Sequence, residues 1–241
     1  MTAERDLWLH RAVECPDAHR RLIAFPHAGG SASFYREWGR HLPGTDVLGV
    51  RYPGRAERID EPAPTDLVRL GGQIAAALAG LDDLPLVLFG HSMGAVVALE
   101  TARALQARGV RPAHLVASGS RAAPLPPPAP ADSDGDDLAL RLAALGGTDP
   151  EMLADPFFQE LVLPYIRSDG EMFHGYAHRT GPVLHCPITT IVGDVDGDAD
   201  RRPWPELTDA GFREHVVPGH HFYLVDRPPY GLLTDLAEVG R

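Results

Sequence analysis

Short apolar runs bounded by glycine, proline and charge alternate along this chain with segments whose apolar residues recur every three or four positions. The runs read as buried strands and the periodic segments as amphipathic helices. Strands are predicted at 7–9, 21–25, 46–52, 86–90, 114–118, 187–192 and 212–217. Ser33 is positioned to cap a short helix carrying Phe34, Tyr35 and Trp38. Thr65 or Asp66 opens a helix through Leu67, Leu70, Ile74, Leu78 and Leu81. A third helix runs from Ser92 to about Gln106, with Gly109 as its stop signal. Leu232, Leu233, Leu236 and Val239 form a closing helix. Strands alternating with helices predict an α/β protein with a mostly parallel sheet flanked by helices. No internal repeat is visible.

The alternation breaks once. Residues 124–130 are proline-rich and read as stiff, extended chain. Residues 132–137 are mostly acidic, and from about 136 to 176 the pattern is helical, with Leu138, Leu142, Leu145, Met152, Leu153 and Met172 among its apolar positions. The core is therefore assigned to 1–121 and 181–241, and 122–180 to a helical lid insertion. Its apolar content exceeds what a small insertion needs for itself, which suits a mobile cover over an apolar channel, the alternative being a helical cap packed statically on the sheet.

The run 86–90 continues into Gly90-His91-Ser92-Met93-Gly94 and then an alanine-rich helix. G-x-S-x-G between a strand and a helix is the context of a nucleophile elbow. The turn strains the serine backbone, and only tiny neighbours let strand and helix approach so closely. The helix N-terminus aims free N–H groups at the place where an oxyanion would form. After the strand 21–25, Pro26-His27-Ala28-Gly29-Gly30-Ser31 can turn further backbone N–H groups toward a ligand, with His27 read as holding the loop's shape. Arg51, Arg55 and Arg58 either pair with Glu57 and Glu61 to order the loop 53–62 or contact a ligand.

Composition narrows the function. The 241 residues are 44% hydrophobic, enough for one large domain with a sizeable core. A net charge of −11 argues against general nucleic-acid binding. No apolar run reaches membrane-spanning length, and the charged N-terminus lacks a signal-peptide core. A cytoplasmic, monomeric protein is expected. Cys15 and Cys186 are too few and too far apart in sequence for a disulfide framework or a metal site. Every basic side chain is arginine, so any basic docking patch must be built from it.

A nucleophilic serine needs a base, and the base needs an acid to fix its tautomer, in the chain order Ser…Asp…His on such a fold. Asp194, Asp196, Asp198 and Asp200 compete for the acid, and His220 and His221 for the base. Phe25-Pro26-His27-Ala28-Gly29-Gly30, Tyr52-Pro53-Gly54-Arg55, Gly90-His91-Ser92-Met93-Gly94, Gly193-Asp194-Val195-Asp196 and Gly219-His220-His221-Phe222 together resemble the type II thioesterases. These are free-standing editing hydrolases of polyketide and nonribosomal peptide synthesis. The resemblance runs from about residue 20 to 230 and implies the α/β-hydrolase fold. It implies a triad of Ser92, Asp196 and His221 and an oxyanion hole of the Ala28 and Met93 N–H groups. His220 stands where the family usually has glycine. The implied substrate is an acyl group on the phosphopantetheine arm of an acyl or peptidyl carrier protein, with no cofactor or metal of the enzyme's own. Such carriers are commonly acidic, so docking would use a local arginine patch or apolar contacts. A small-molecule esterase or lipase with the same triad, and a non-catalytic acyl-binding protein, are the competing functions.

Overall fold

A computed structural model describes residues 3–125 and 155–236. In chain order its elements are α1 (Ala3–Trp8), β1 (Leu9–His10), β2 (Arg20–Phe25), α2 (Trp38–His41), β3 (Thr45–Val50), α3 (Leu67–Ala77), β4 (Leu86–His91), α4 (Met93–Ala107), β5 (His114–Ser118) and β6 (Ser120–Ala122). From residue 155 onward come α5 (Pro156–Leu161), α6 (Leu163–His174), β7 (Ile188–Gly193), β8 (Asp200–Arg202), β9 (Phe212–Val217), α7 (Tyr223–Asp226) and α8 (Tyr230–Asp235). Seven strands form one sheet in the order β1-β3-β2-β4-β5-β7-β9. Only β1 is antiparallel to its neighbour.

The order reverses between β2 and β4. The chain leaves β2 toward β3 and then returns to lay β4 on the other side. A crevice opens at the carboxyl ends of strands flanking such a switch point. There Phe25 pairs with Gly90, so the loops after β2 and β4 emerge side by side. Strands β3, β4 and β7 are buried at every residue, as a sheet covered on both faces requires. On one face α3 and α4 pack over Ile23, Leu48, Leu88 and Leu115. On the other, Trp38, Tyr35, Tyr223 and Leu233 cover Phe89, Val116 and Ile191.

Several expectations are corrected. Residues 7 and 8 end helix α1, and the strand begins only at Leu9, opposite Val50, with His10 opposite Gly49. Trp8 is buried beneath the Arg58 guanidinium, 4.1 Å from the ring centre, a contact available to it from the helix end. The turn of 3-10 helix Ala32–Tyr35 is preceded by Ser31 at the cap position, and Ser33 spends its hydroxyl on Ser31 at 2.7 Å. Asp66, not Thr65, caps α3 by accepting from Arg69 N–H at 2.9 Å, and the helix stops at Ala77, before Leu81. Strands β6 and β8 form a separate two-stranded ribbon. The positions Leu138, Leu142, Leu145, Met152 and Leu153, and Val239 of the closing helix, lie outside the described residues.

The chain from Met172 to Pro182 is strapped to α4. Glu100, buried on α4, binds Arg103 Nη1 and the Tyr176 hydroxyl at 2.7 Å each and also pairs with Arg179. Arg103 in turn donates to the carbonyls of Arg179 and Pro182. Met172 of α6 is buried in the main core, packed with that of α3 and α4.

Candidate active site

Ser92 sits between β4 and α4 with φ 55° and ψ −124°, a left-handed conformation that costs a non-glycine residue energy. Its N–H donates to the Ser118 carbonyl at 2.8 Å, tying the turn to the end of β5. The glycines around it are required by contact. A Cβ on Gly90 would fall inside the Gly94 carbonyl, and one on Gly94 would collide with the carbonyls of Phe25 and Pro26. The start of α4 therefore lies directly against the backbone that leads from β2 into Ala28. Fifteen-residue α4 brings the Met93 N–H, at its first position, to the same place.

The competing acids and bases separate by geometry. His221 Nδ1 lies 2.9 Å from Asp196 Oδ2, and both side chains are buried. A carboxylate only accepts, so Nδ1 carries the proton and Nε2 presents its lone pair. The Asp196 loop is held by its own backbone: Asp196 N–H donates to Gly193 O at 3.2 Å, and Asp198 N–H to Asp196 Oδ1 at 3.0 Å. Asp194 accepts from Gly219 N–H at 2.8 Å and so shapes the loop that carries the histidines. Asp200 receives Arg202 Nε at 2.8 Å, and burial raises its pKa against the opposing pull of Arg202. Asp198 is exposed, as is His220, whose carbonyl accepts from Tyr223 N–H at 3.2 Å.

Two further imidazoles lie beneath the site. His91 is fully buried, 5.0 Å from His221 between ring centres. Its Nδ1 is 2.9 Å from Ser118 Oγ, which is 2.7 Å from the Tyr223 hydroxyl. His27 packs edge-on against Phe34 and Phe222 at 5.0 and 4.9 Å. Burial pushes the His27 pKa down to about 3, with the charges of His221 and Arg55 adding to it. Burial also holds His91 well below its usual range, assisted by His221 and His27. Both rings are neutral at pH 7, and the side chain hydrogen-bonded to His221 is that of Asp196.

The loop 53–62 is ordered partly as anticipated. Arg58 binds Glu61 through two bonds of 2.7 and 2.6 Å, and Arg51 reaches Glu57 at 3.7 Å. Arg55 departs from that reading: it turns inward to Asp169 of α6. Sequence reasoning did not single out Asp169. The signal was a lone aspartate inside an amphipathic helix at a position that packing buries, which calls for a cationic partner. The site is built without a metal-ligating cluster: among the described residues no group of three or more His, Cys, Asp or Glu is placed to hold an ion.

A strained serine between strand and helix, followed in chain order by a joined aspartate and histidine on a mostly parallel sheet, defines the α/β-hydrolase class. Within it, the thioesterase domain model matches residues 20–236, and the chain belongs to the thioesterase family. It is a thioester hydrolase of the type II group. The chain is 38% identical to thioesterase PikA5 of Streptomyces venezuelae over 234 residues, covering 94% of this chain and 83% of that protein. The type II thioesterase BorB of the borrelidin biosynthetic cluster superposes with a TM-score of 0.83 at 35% identity, covering 98% of each chain. RedJ, the thioesterase of the prodiginine pathway in Streptomyces coelicolor, gives 0.79 at 34% identity, covering 94% of this chain and 87% of RedJ.

Proposed function

We propose that this thioesterase removes acyl groups from the phosphopantetheine arm of acyl or peptidyl carrier proteins, clearing stalled or mis-primed polyketide or nonribosomal peptide assembly lines. Ser92 Oγ attacks the thioester carbonyl as its proton passes to His221 Nε2. The N–H groups of Ala28 and Met93 receive the oxyanion, each such donor being worth about 10²–10³ in rate. The C–S bond breaks, and the thiolate leaves with the proton from the imidazolium. Water, deprotonated by the same nitrogen, attacks the acyl-enzyme, and the acid departs as Ser92 regains its proton. Asp196 keeps His221 in the required tautomer and stabilises its charged form. The sequence of steps uses no cofactor or metal of the protein's own.

The observation that carries this reading is the buried 2.9 Å contact between His221 and Asp196, at the sheet edge where the strained Ser92 turn also emerges. The carrier substrate is supported by the relatives, several of which are thioesterases of biosynthetic pathways. The segment 122–180 is assigned the role of lid over the acyl passage, its far end anchored through Glu100. The reading places the protein in the cytoplasm as a monomer. Turnover of a panel of acyl-carrier thioesters, set against matched oxygen esters, tests the assignment. Preferential release from carriers is expected. Faster hydrolysis of oxygen esters would make the protein an esterase, and failure of a fluorophosphonate to label Ser92 would make it a binding protein.

A further inference from the structure

Arg55 and Asp169 take no part in the steps above, yet they are among the most buried charges in the molecule, with side chains 2% and 0% exposed. Arg55 grips the Asp169 carboxylate through both terminal nitrogens, joining the loop after β3 to the middle of α6. The same pair holds the loop after β2. Asp169 Oδ2 accepts from Gly29 N–H at 2.8 Å, and Arg55 Nη1 donates to the Gly30 carbonyl at 3.3 Å. Gly29 has φ +76°, and a Cβ there would lie 2.5 Å from Ile166 Cγ1, one turn before Asp169 on α6. The guanidinium lies 5.2 Å from each of the Tyr52 and Tyr165 rings. Tyr52 bonds the Pro26 carbonyl at 3.1 Å.

These contacts converge on one peptide plane. The Ala28 N–H belongs to the peptide whose carbonyl is that of His27, and in a trans peptide the two point in opposite directions. Gly30 N–H donates to the His27 carbonyl at 2.9 Å, which fixes that plane. Gly30 is itself held by Arg55, and Gly29 by Asp169. Desolvating two charges is costly, so a buried ion pair has little value as a source of stability alone. Its value here is geometric, because an oxyanion donor must point at the developing charge before that charge forms.

We propose that Asp169 is the positioning residue of the oxyanion loop: through Gly29 and Arg55 it sets the direction of the Ala28 N–H, so the site is complete only with α6 docked. The inference rests on Ala28 serving as an oxyanion donor to the Ser92 reaction. Two double variants separate geometry from charge. Arg55→Met with Asp169→Leu removes the ion pair and the acceptor for Gly29. Arg55→Met with Asp169→Asn removes the charges but keeps an amide oxygen for that N–H. With an acyl N-acetylcysteamine thioester, the leucine variant is expected to lose kcat by at least about tenfold, approaching the ~10²–10³ of a missing donor, with KM nearly unchanged. Its affinity for an acyl trifluoromethyl ketone, whose hemiketal oxygen occupies the hole, falls by the same factor. The asparagine variant recovers most of both. Wild-type kcat in the leucine variant, or equal loss in both, overturns the proposal. Should either variant fail to fold, the Gly29 amide of the wild-type enzyme decides: a shifted, exchange-protected proton supports it and a freely exchanging one overturns it. A Ser92→Ala control keeps the two readings apart, since turnover surviving there would defeat the Ser92 reaction itself and not the role of Asp169.

Discussion

Acidification from pH 7 to 5 should destabilise this protein, because it holds neutral imidazoles in buried and half-buried positions. His27 is held to a pKa of about 3 and His114 to about 4, chiefly by burial, and His91 well below its usual range. In the unfolded chain each returns to about 6.5. The folded values are depressed and the protonated form is the charged one, so the unfolded state binds more protons between the two pKa values. Stability is therefore fully present above about pH 6.5 and is lost as pH falls toward the folded pKa. At pH 5 each unfolded imidazole has gained about 2 kcal/mol of protonation free energy that its folded counterpart has not. His27 and His114 together remove about 4 kcal/mol, a large part of the stability of many domains, and His91 acts in the same direction. The assay is urea unfolding at pH 7, 6 and 5, followed by circular dichroism. His27→Phe keeps a flat ring between Phe34 and Phe222 and should lessen the pH slope by one proton's worth, about 1.4 kcal/mol per pH unit. An unfolding free energy that stays constant between pH 7 and 5, or a His27→Phe slope equal to wild type, would refute the argument.

Ser92→Ala should abolish thioester turnover and fluorophosphonate labelling with an unchanged circular dichroism spectrum; residual turnover would remove Ser92 from the reaction. Asp196→Asn should lower kcat by roughly 10³–10⁴-fold, as loss of the tautomer-fixing carboxylate does in other triads. His220→Gly, altering an exposed ring, should leave kcat within about threefold of wild type, and steady-state kinetics on both variants checks the ranking. Gly90→Ala drives a methyl into the Gly94 carbonyl and should destabilise the fold by at least about 3 kcal/mol, read as a lowered urea midpoint.

The elbow was legible because everything that makes it is local: an apolar run, two glycines and a helix, all within about twenty residues of Ser92. The parallel sheet was legible for the same reason, since the central strands β2, β4, β5 and β7 each announce themselves by an apolar run. What the sequence left open depended on partners far along the chain. His220 and His221 are adjacent and chemically identical, and only the packing of the loop, with Asp194 bound to Gly219, turns one ring outward and the other onto Asp196. The ribbon of β6 and β8 escaped notice because Ser120–Ala122 and Asp200–Arg202 carry polar side chains and pair only through the fold. Met172 read as lining for a passage because helical periodicity marks an apolar face without saying what it meets, and that face meets the core. Arg55 is the sharpest case. Glutamates stood two and six residues away, and proximity in sequence favoured them, but both lie where water already solvates their charge. Asp169, 114 residues on, sits on α6 withdrawn from water, where a carboxylate requires a cationic partner. Burial, which sequence spacing does not report, decided the pairing, and in doing so joined α6 to the loop after β2.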